Sequence, residues 1–412
     1  MELRPELDPS TMDVSVDAIQ TWALWLTEVE RRILPYFARR DARHRVGAYL
    51  RGLLSPVERK NGWQVAEAVG DATPYGVQHL LGRAQWEAQD VCQGLGTYVV
   101  DHLGDPQAVL VIDETGFLKK GQYSAGVARQ YSGTAGRVEN CQIGVFLTYA
   151  SAQGHVLLDR ELYLPQEWSN DVARCARAGI PAARVFATKP QLARQMLERA
   201  FDAAVPAAWV AGDSVYGDNR ALREWLEERA QAYVVAVSGK EYVWRAGHQR
   251  QIKTLLAMLE EEDWRRMRAG DGTKGPRWYD WRWLPLAPPL HAHWRRWLLV
   301  RRSLSDPAER TASLVFAPAG TTLDTVAQVA GRRWTIERCF EEAKGEVGLD
   351  QYEVRSWTGW YRHITLAMWA YALLTVLRAA HLPAAPPLKK MLHGLPPSTL
   401  TPFKISRGLV CH

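Results

Sequence analysis

Two aspartates and one glutamate could do chemistry by virtue of where they stand. Asp113 closes the apolar run "QAVLVID" and Asp213 closes "AAWVAGD". Each is the first acid after a stretch that reads as a buried strand, and in open α/β sheets ligands gather at strand ends. A lone acid there also serves as a turn former or helix cap, so either aspartate taken singly leaves both readings open. Glu337 lies in "GRRWTIERCFEEAKGEVGL", residues 331–349, which reads as a helix. On a helix, Glu337 projects about 40° from Arg333 and Lys344 about 20° from it, so all three share a face. That face is either a solvated one with i,i+4 pairs, or an acid held between two cations and aimed at an anion. Glu341, about 80° away, rivals Glu337 as an active carboxylate, while Glu342 points about 180° away.

Three carboxylates in one small site oppose each other's ionisation, and a divalent cation resolves the conflict. Oxygen ligands without Cys or His select Mg²⁺ or Mn²⁺. Two such ions, about 3.5–4 Å apart, stabilise the attacking and leaving oxygens of a phosphodiester displacement. The five cysteines are scattered, without CxxC or Cys/His spacing, which argues against a disulfide framework or a zinc site and fits a reducing cytosol. Glu114, Asp218 and Asp350 read as caps or supporting residues around such a site.

The elements that must position these acids can be read in outline. The 412 residues and 47% hydrophobic content suffice for two or three domains. Residues 1–105 read as a helical, DNA-binding domain. Its first 30 residues hold seven acids and one Arg, whereas residues 31–60 hold nine Arg or Lys against two acids. Arg39, Arg40, Arg43, Arg45, Arg59 and Lys60 are the candidate phosphate contacts, and a solvated helix face accounts for the same pattern equally well. From 106 to 238 the period turns strand-like. "NCQIGVFLTYAS" and "GHVLLDRELYLP" form a hairpin, and helices over "KPQLARQMLERAFDA" and "NRALREWLEERA" alternate with strands. This is an α/β order with a mixed sheet. Asp218 or Asn219 caps the second of those helices.

Residues 239–322 read as a β-rich insertion. It carries seven of the eighteen tryptophans, and the net charge of the whole chain is +6. Aromatics interleaved with Arg suit nucleic acid, with Trp281 and Trp283 as stacking candidates; a small sheet with its own Trp core suits the pattern too. Residues 323–382 return to helix, with a bend expected at Gly331. The apolar run 364–377 reads as a buried helix, too short to span a bilayer. The tail 383–412 is Pro-rich and irregular, and the N-terminal "MELRPELDPSTMD" lacks the apolar core of a signal peptide.

The stretches "VLVIDETGFLKKG", "WVAGDSVYGDN" and "RRWTIERCFEEAKGEVGLDQYEVRSW" together resemble the DDE transposases of bacterial insertion sequences, across roughly residues 40–380. The third motif of that family is Tyr-x2-Arg-x3-Glu-x6-Lys, and Arg333, Glu337 and Lys344 match it at full spacing while Ala330 stands at the Tyr place. The resemblance implies an RNase H-like mixed sheet flanked by helices. It implies that Asp113, Asp213 and Glu337 are catalytic and hold two Mg²⁺ or Mn²⁺ ions, and that Arg333 and Lys344 hold DNA phosphates. It further implies cut-and-paste transposition: cleavage at terminal inverted repeats, strand transfer into target DNA, and a homodimer assembled on double-stranded DNA. Such a protein is expected in the bacterial cytoplasm at the nucleoid, away from membranes. Two departures bear on activity: Ala330 lacks the phenol, and "TPFKISRGLVCH" stands where relatives continue into a basic tail. Two alternatives remain, a nuclease of the same fold that never joins strands and an inactive DNA-binding relic. A carboxylate-pair glycosidase needs no basic DNA-binding region.

Overall fold

A computed structural model describes residues 16–260, 263–272 and 275–381, and the side chains of 22–260, 263–270 and 275–380. The acidic N-terminal segment and the Pro-rich tail, with Cys411, lie outside the described residues. Helices come first: α1 (Val16–Ile33), α2 (Arg40–Leu54), α3 (Gly62–Ala68), α4 (Tyr75–Gly82) and α5 (Ala88–Leu103). Asn61 starts α3 by accepting the amides of Trp63 and Gln64.

The strands that follow are β1 (Val109–Leu118), β2 (Ala128–Ser132), β3 (Arg137–Ala150) and β4 (His155–Tyr163). The β3–β4 hairpin closes through the Ser151 amide on the Gly154 carbonyl, at the turn read from the sequence. Short helices α6 (Gln166–Ser169) and α7 (Val172–Arg177) lead to α8 (Lys189–Asp202), which opens with a full capping box between Thr188 and Gln191. Then come β5 (Trp209–Gly212), the single turn α9 (Ser214–Gly217), α10 (Arg220–Glu228) and β6 (Ala232–Val237). Asn219, not Asp218, caps α10; Asp218 instead accepts the Ser238 amide at 2.8 Å.

β4 pairs with β3, β3 with β1, β1 with β5, and β5 with β6; the first two pairings are antiparallel and the last two parallel. The central strands are apolar because helices cover both their faces. This is the mixed sheet flanked by helices that an RNase H-like core requires.

The Trp/Arg-rich segment supplies β7 (Tyr242–Arg245), β8 (His248–Gln251), α11 (Ile252–Ala257), β9 (Arg265–Gly272), β10 (Gly275–Pro285), β11 (Trp294–Arg302) and β12 (Arg310–Pro318). β7 and β8 form a two-stranded ribbon. β12 pairs antiparallel with β6, and β11, β10 and β9 follow outward, so these strands extend the core sheet. An edge strand is an unsatisfied template until another strand covers it, and this segment covers the edge at β6.

The chain closes with α12 (Leu323–Arg332), α13 (Thr335–Val347) and α14 (Trp357–His381). The bend expected at Gly331 falls instead at Arg333 and Trp334. The Trp334 ring stacks on Tyr279 of β10 at 5.8 Å, with Arg277 and Arg301 over its face, and this anchor stops α12 from running on. Gly331 serves packing: a Cβ there would stand 2.0 Å from the Ala269 carbonyl of β9.

α14 runs to 25 residues, longer than the apolar run, and by length and composition alone it could cross a membrane. It is instead the central core helix, packed on α5 and β4 with Trp360, Trp369 and Tyr371 fully buried. A helix apolar on every side is the form expected of one surrounded by protein. Two of its early polar residues find partners inside the protein: Arg362 donates through one terminal nitrogen to the Trp86 carbonyl at 2.7 Å, while its Nε is left without a partner among the described residues, and His363 bonds the Tyr49 hydroxyl at 2.7 Å.

Candidate active site

β1 and β5 are parallel neighbours in which Ile112 stands beside Gly212, so the next residues, Asp113 and Asp213, emerge side by side. Asp113 pairs with Phe146 of β3, and Phe146 packs on Phe340 of α13 at 5.4 Å. Side chains alternate along a strand. Asp113 and Thr115 therefore face α13, and Glu114 faces the other way. One oxygen of each aspartate is spent locally: Asp113 Oδ1 accepts the Glu114 amide at 2.8 Å, and Asp213 Oδ1 accepts the Val215 amide at 2.9 Å as the cap of α9. Asp213 is thus both the helix cap that its position suggested and a neighbour of Asp113.

The electrostatics express this proximity. Burial pushes the Asp113 carboxyl up to about 7, with Asp213 and Glu114 adding to the rise and Arg333 opposing it. Burial also raises Asp213, again with Glu114 adding and Arg333 opposing. Two carboxylates crowded this way, each with an oxygen to spare, form a donor set that fits a divalent cation.

Arg333 links the aspartates to Glu337. Its guanidinium acts on both, and it lies 3.7 Å from Glu337 Oε1. The side chain of Glu337 is 58% exposed and turned toward Arg333. Among the described residues, no group of three or more His, Cys, Asp or Glu is gathered tightly enough to hold a metal ion. The structure brings Asp113 and Asp213 together, with the charge of Arg333 acting on both and Glu337 paired to that arginine. Beside Glu337 opens a cleft of about 600 Å³, lined among others by Arg268, Arg277, Arg332, Trp334, Arg338 and Glu341.

Lys344 reaches the same end of β1. Its ammonium donates to Thr115 Oγ1 at 2.8 Å, the Gly116 carbonyl at 3.2 Å and Thr134 Oγ1 at 3.1 Å, and burial lowers its pKa. All three of its donors are therefore occupied, by β1 and by the tip of the β2–β3 hairpin.

The other expected DNA contacts divide. Arg39, Arg40 and Arg59 are exposed. Arg43 is exposed but donates to the Phe37 carbonyl at 2.6 Å, and Arg45 pairs with Asp41 at 3.1 Å. Lys60 departs from the expectation. It is buried, bonded to the Ser55 carbonyl and packed on Gly348, and burial lowers its pKa to about 8. Trp281 is also buried, its indole donating to the Met267 carbonyl at 3.3 Å, and Trp283 is half-buried, stacked on Trp297 at 4.9 Å. Both fill the sheet's covered face. Trp63, Trp244 and Trp278 are the tryptophans exposed enough to stack on a partner.

Of one supporting group only Glu114 was expected, not its partners Lys189 and Tyr216. Glu114 accepts the Lys189 ammonium at 2.5 Å and the Tyr216 hydroxyl at 2.6 Å, directly behind the aspartates. The signal available was the adjacent acid in "IDETG" and the tyrosine in "DSVYG", but nothing in the sequence says that they meet.

The chain is similar in sequence to known proteins. The family described as DDE superfamily endonuclease matches residues 32–255, more than half of the chain. The family described as Transposase DDE domain matches residues 187–373. Asp113 lies in the first match, Glu337 in the second and Asp213 in both. The probable transposase for insertion sequence element IS701 of Microchaete diplosiphon is 26% identical over 193 residues, which are 47% of this chain and 48% of that relative. The match thus spans about half the length of the curated relative. With the first of these matches spanning more than half of the chain, and the paired aspartates at the ends of β1 and β5, the chain belongs to the DDE superfamily of endonucleases.

Proposed function

We propose that this protein is a DNA transposase that cuts DNA at the ends of an insertion sequence and joins the freed ends to a target. The observation that carries the reading is the placement of Asp113 beside Asp213 with Arg333 acting on both. Asp113 and Asp213 would hold Mg²⁺ or Mn²⁺, and Glu337 would join them as the third ligand on leaving Arg333. Bound as a pair, such ions stabilise the attacking and leaving oxygens of a phosphodiester displacement.

The chain's own residues would do the rest. Arg333 offers a planar fork to a phosphate at the cut, and Lys344 a compact charge once released from Thr115 and Thr134. A phosphate that takes Arg333 also frees Glu337. The water that cuts one strand leaves a 3′-hydroxyl and a 5′-phosphate; the 3′-hydroxyl then attacks a second phosphodiester and displaces that strand's own 3′-oxygen, one P–O bond forming as another breaks. Arg39, Arg40 and Arg59 of the helical N-terminal region would track the backbone of the inverted repeat. Two copies on DNA would hold the two ends.

Incubating the protein with duplexes carrying the flanks of its own gene tests this reading. Divalent-dependent nicking is expected, with Asp113→Asn and Asp213→Asn each slower by at least about a hundredfold, the scale of charge stabilisation by metal ions. Full cleavage by Asp213→Asn, or cleavage indifferent to divalent ions, would overturn it. Pre-cut ends supplied with a target separate a transposase from a nuclease: joined products are expected, and cutting without joining would leave the nuclease.

A further inference from the structure

Behind the two aspartates lies a partly buried bridge of Glu114, Lys189 and Tyr216. Glu114 sits on the opposite face of β1 from Asp113, and both of its carboxylate oxygens are engaged, Oε1 by Lys189 at the first turn of α8 and Oε2 by the Tyr216 hydroxyl in α9. Tyr216 is fully buried and lies three residues after Asp213. The bond therefore ties the residue after one aspartate to the turn that carries the other.

The turn itself has no slack. The Tyr216 and Gly217 amides donate to the Asp213 carbonyl at 3.2 and 2.8 Å. A Cβ on Gly217 would stand 1.8 Å from the Ala236 carbonyl of β6, so the turn is pressed against that strand. β6 limits the turn on one side and Tyr216 ties it toward β1 on the other. Lys189 pairs with Glu114, whose charge adds to that of the two aspartates.

We propose that Tyr216 and Glu114 are positioning residues whose hydrogen bond sets the spacing of Asp113 and Asp213, and with it the affinity for divalent cations. This rests on the reading of the two aspartates as metal ligands. It predicts an effect on metal affinity over and above the general stability that any buried hydrogen bond supplies. Tyr233, whose hydroxyl donates to Glu227 at 2.7 Å, is a matched buried Tyr–Glu pair outside the site and serves as the control.

The test is a Mn²⁺ titration of the full chain, followed by the spin-resonance signal of free Mn²⁺, with melting temperature measured alongside. Tyr216→Phe is expected to weaken Mn²⁺ binding by about tenfold, the factor that corresponds to ~1.4 kcal/mol. Glu114→Ala, which also frees Lys189, should weaken it at least as much, and adding Tyr216→Phe to it should weaken it no further, because the Tyr216–Glu114 bond is then already broken. Tyr233→Phe should leave Mn²⁺ affinity as it is, whatever it does to melting. Wild-type affinity in both Tyr216→Phe and Glu114→Ala, strictly additive effects, or an equal loss in Tyr233→Phe would each overturn the proposal. Asp213→Asn separates the two levels: if it binds Mn²⁺ normally, the ligand reading itself fails. If it loses binding while Tyr216→Phe keeps it, only the positioning role fails.

Discussion

At the level of single residues, Asp113 carries the sharpest consequence. Its carboxyl is raised from 3.8 to about 7, with burial the leading cause. The folded protein therefore binds more protons than the unfolded chain within that window, and its stability falls as pH rises from 3.8 toward about 7. Metal-free Asp113→Asn should lose this dependence and melt higher than the parent at about pH 8, where the parent carries the buried charge. A lower melting temperature for the variant there would show that the charge is already compensated. Divalent ions should stabilise the parent and not the variant. The aspartates were legible in the sequence because an acid ending a buried apolar strand has few places to go. The tryptophans were not. Neighbours such as Trp278 and Trp281 take opposite faces of β10, and only the fold says which face α12 and Trp334 cover. Lys60 misled for a related reason: a basic run shows charge, but not which cation turns inward to bond a carbonyl.

At the level of elements, the join between α12 and α13 matters most. The sequence shows one helical period across residues 323–347, and the turn-like signal there is Gly331. The actual break is set by Trp334, held from β10 and β11, strands that are distant in sequence and so invisible to local pattern. Gly331 is required because Ala269 of β9 comes against its backbone. Gly331→Ala should therefore push α12 off β9 and destabilise the fold by about 1–3 kcal/mol, the usual cost of overpacking, as read from a denaturant midpoint. An unchanged midpoint would mean that the close approach is not maintained in solution. The strand and helix order through β6 could be read from periodicity, because central strands are continuous apolar runs and the helices carry their own caps. That β9–β12 would extend the same sheet could not, since register and pairing depend on edges that no local window contains.

At the level of the whole molecule, the basic charge of residues 31–60 is partly spent inside the protein. Arg32 pairs with Glu28 and Asp101, Arg51 with Glu30, and Arg45 with Asp41. Arg39, Arg40 and Arg59 remain exposed without an ion pair among the described residues. If these three hold phosphates, replacing all of them with Gln should flatten the dependence of log K on log salt by between about two and three units, at about 0.9 per phosphate contact. A slope that does not move would place the DNA elsewhere, for example along the arginine-lined cleft beside Glu337. The claim on which everything else depends is that Asp113, Asp213 and Glu337 form one divalent-cation site when DNA is bound. Anomalous scattering from Mn²⁺ in crystals of the protein with a pre-cut DNA end tests it most directly. The expected result is density between the Asp113 and Asp213 carboxylates, with Glu337 moved off Arg333 onto the ions and a DNA phosphate in its place on the guanidinium. Manganese bound elsewhere, or Glu337 still paired with Arg333 beside fully bound DNA, would contradict it.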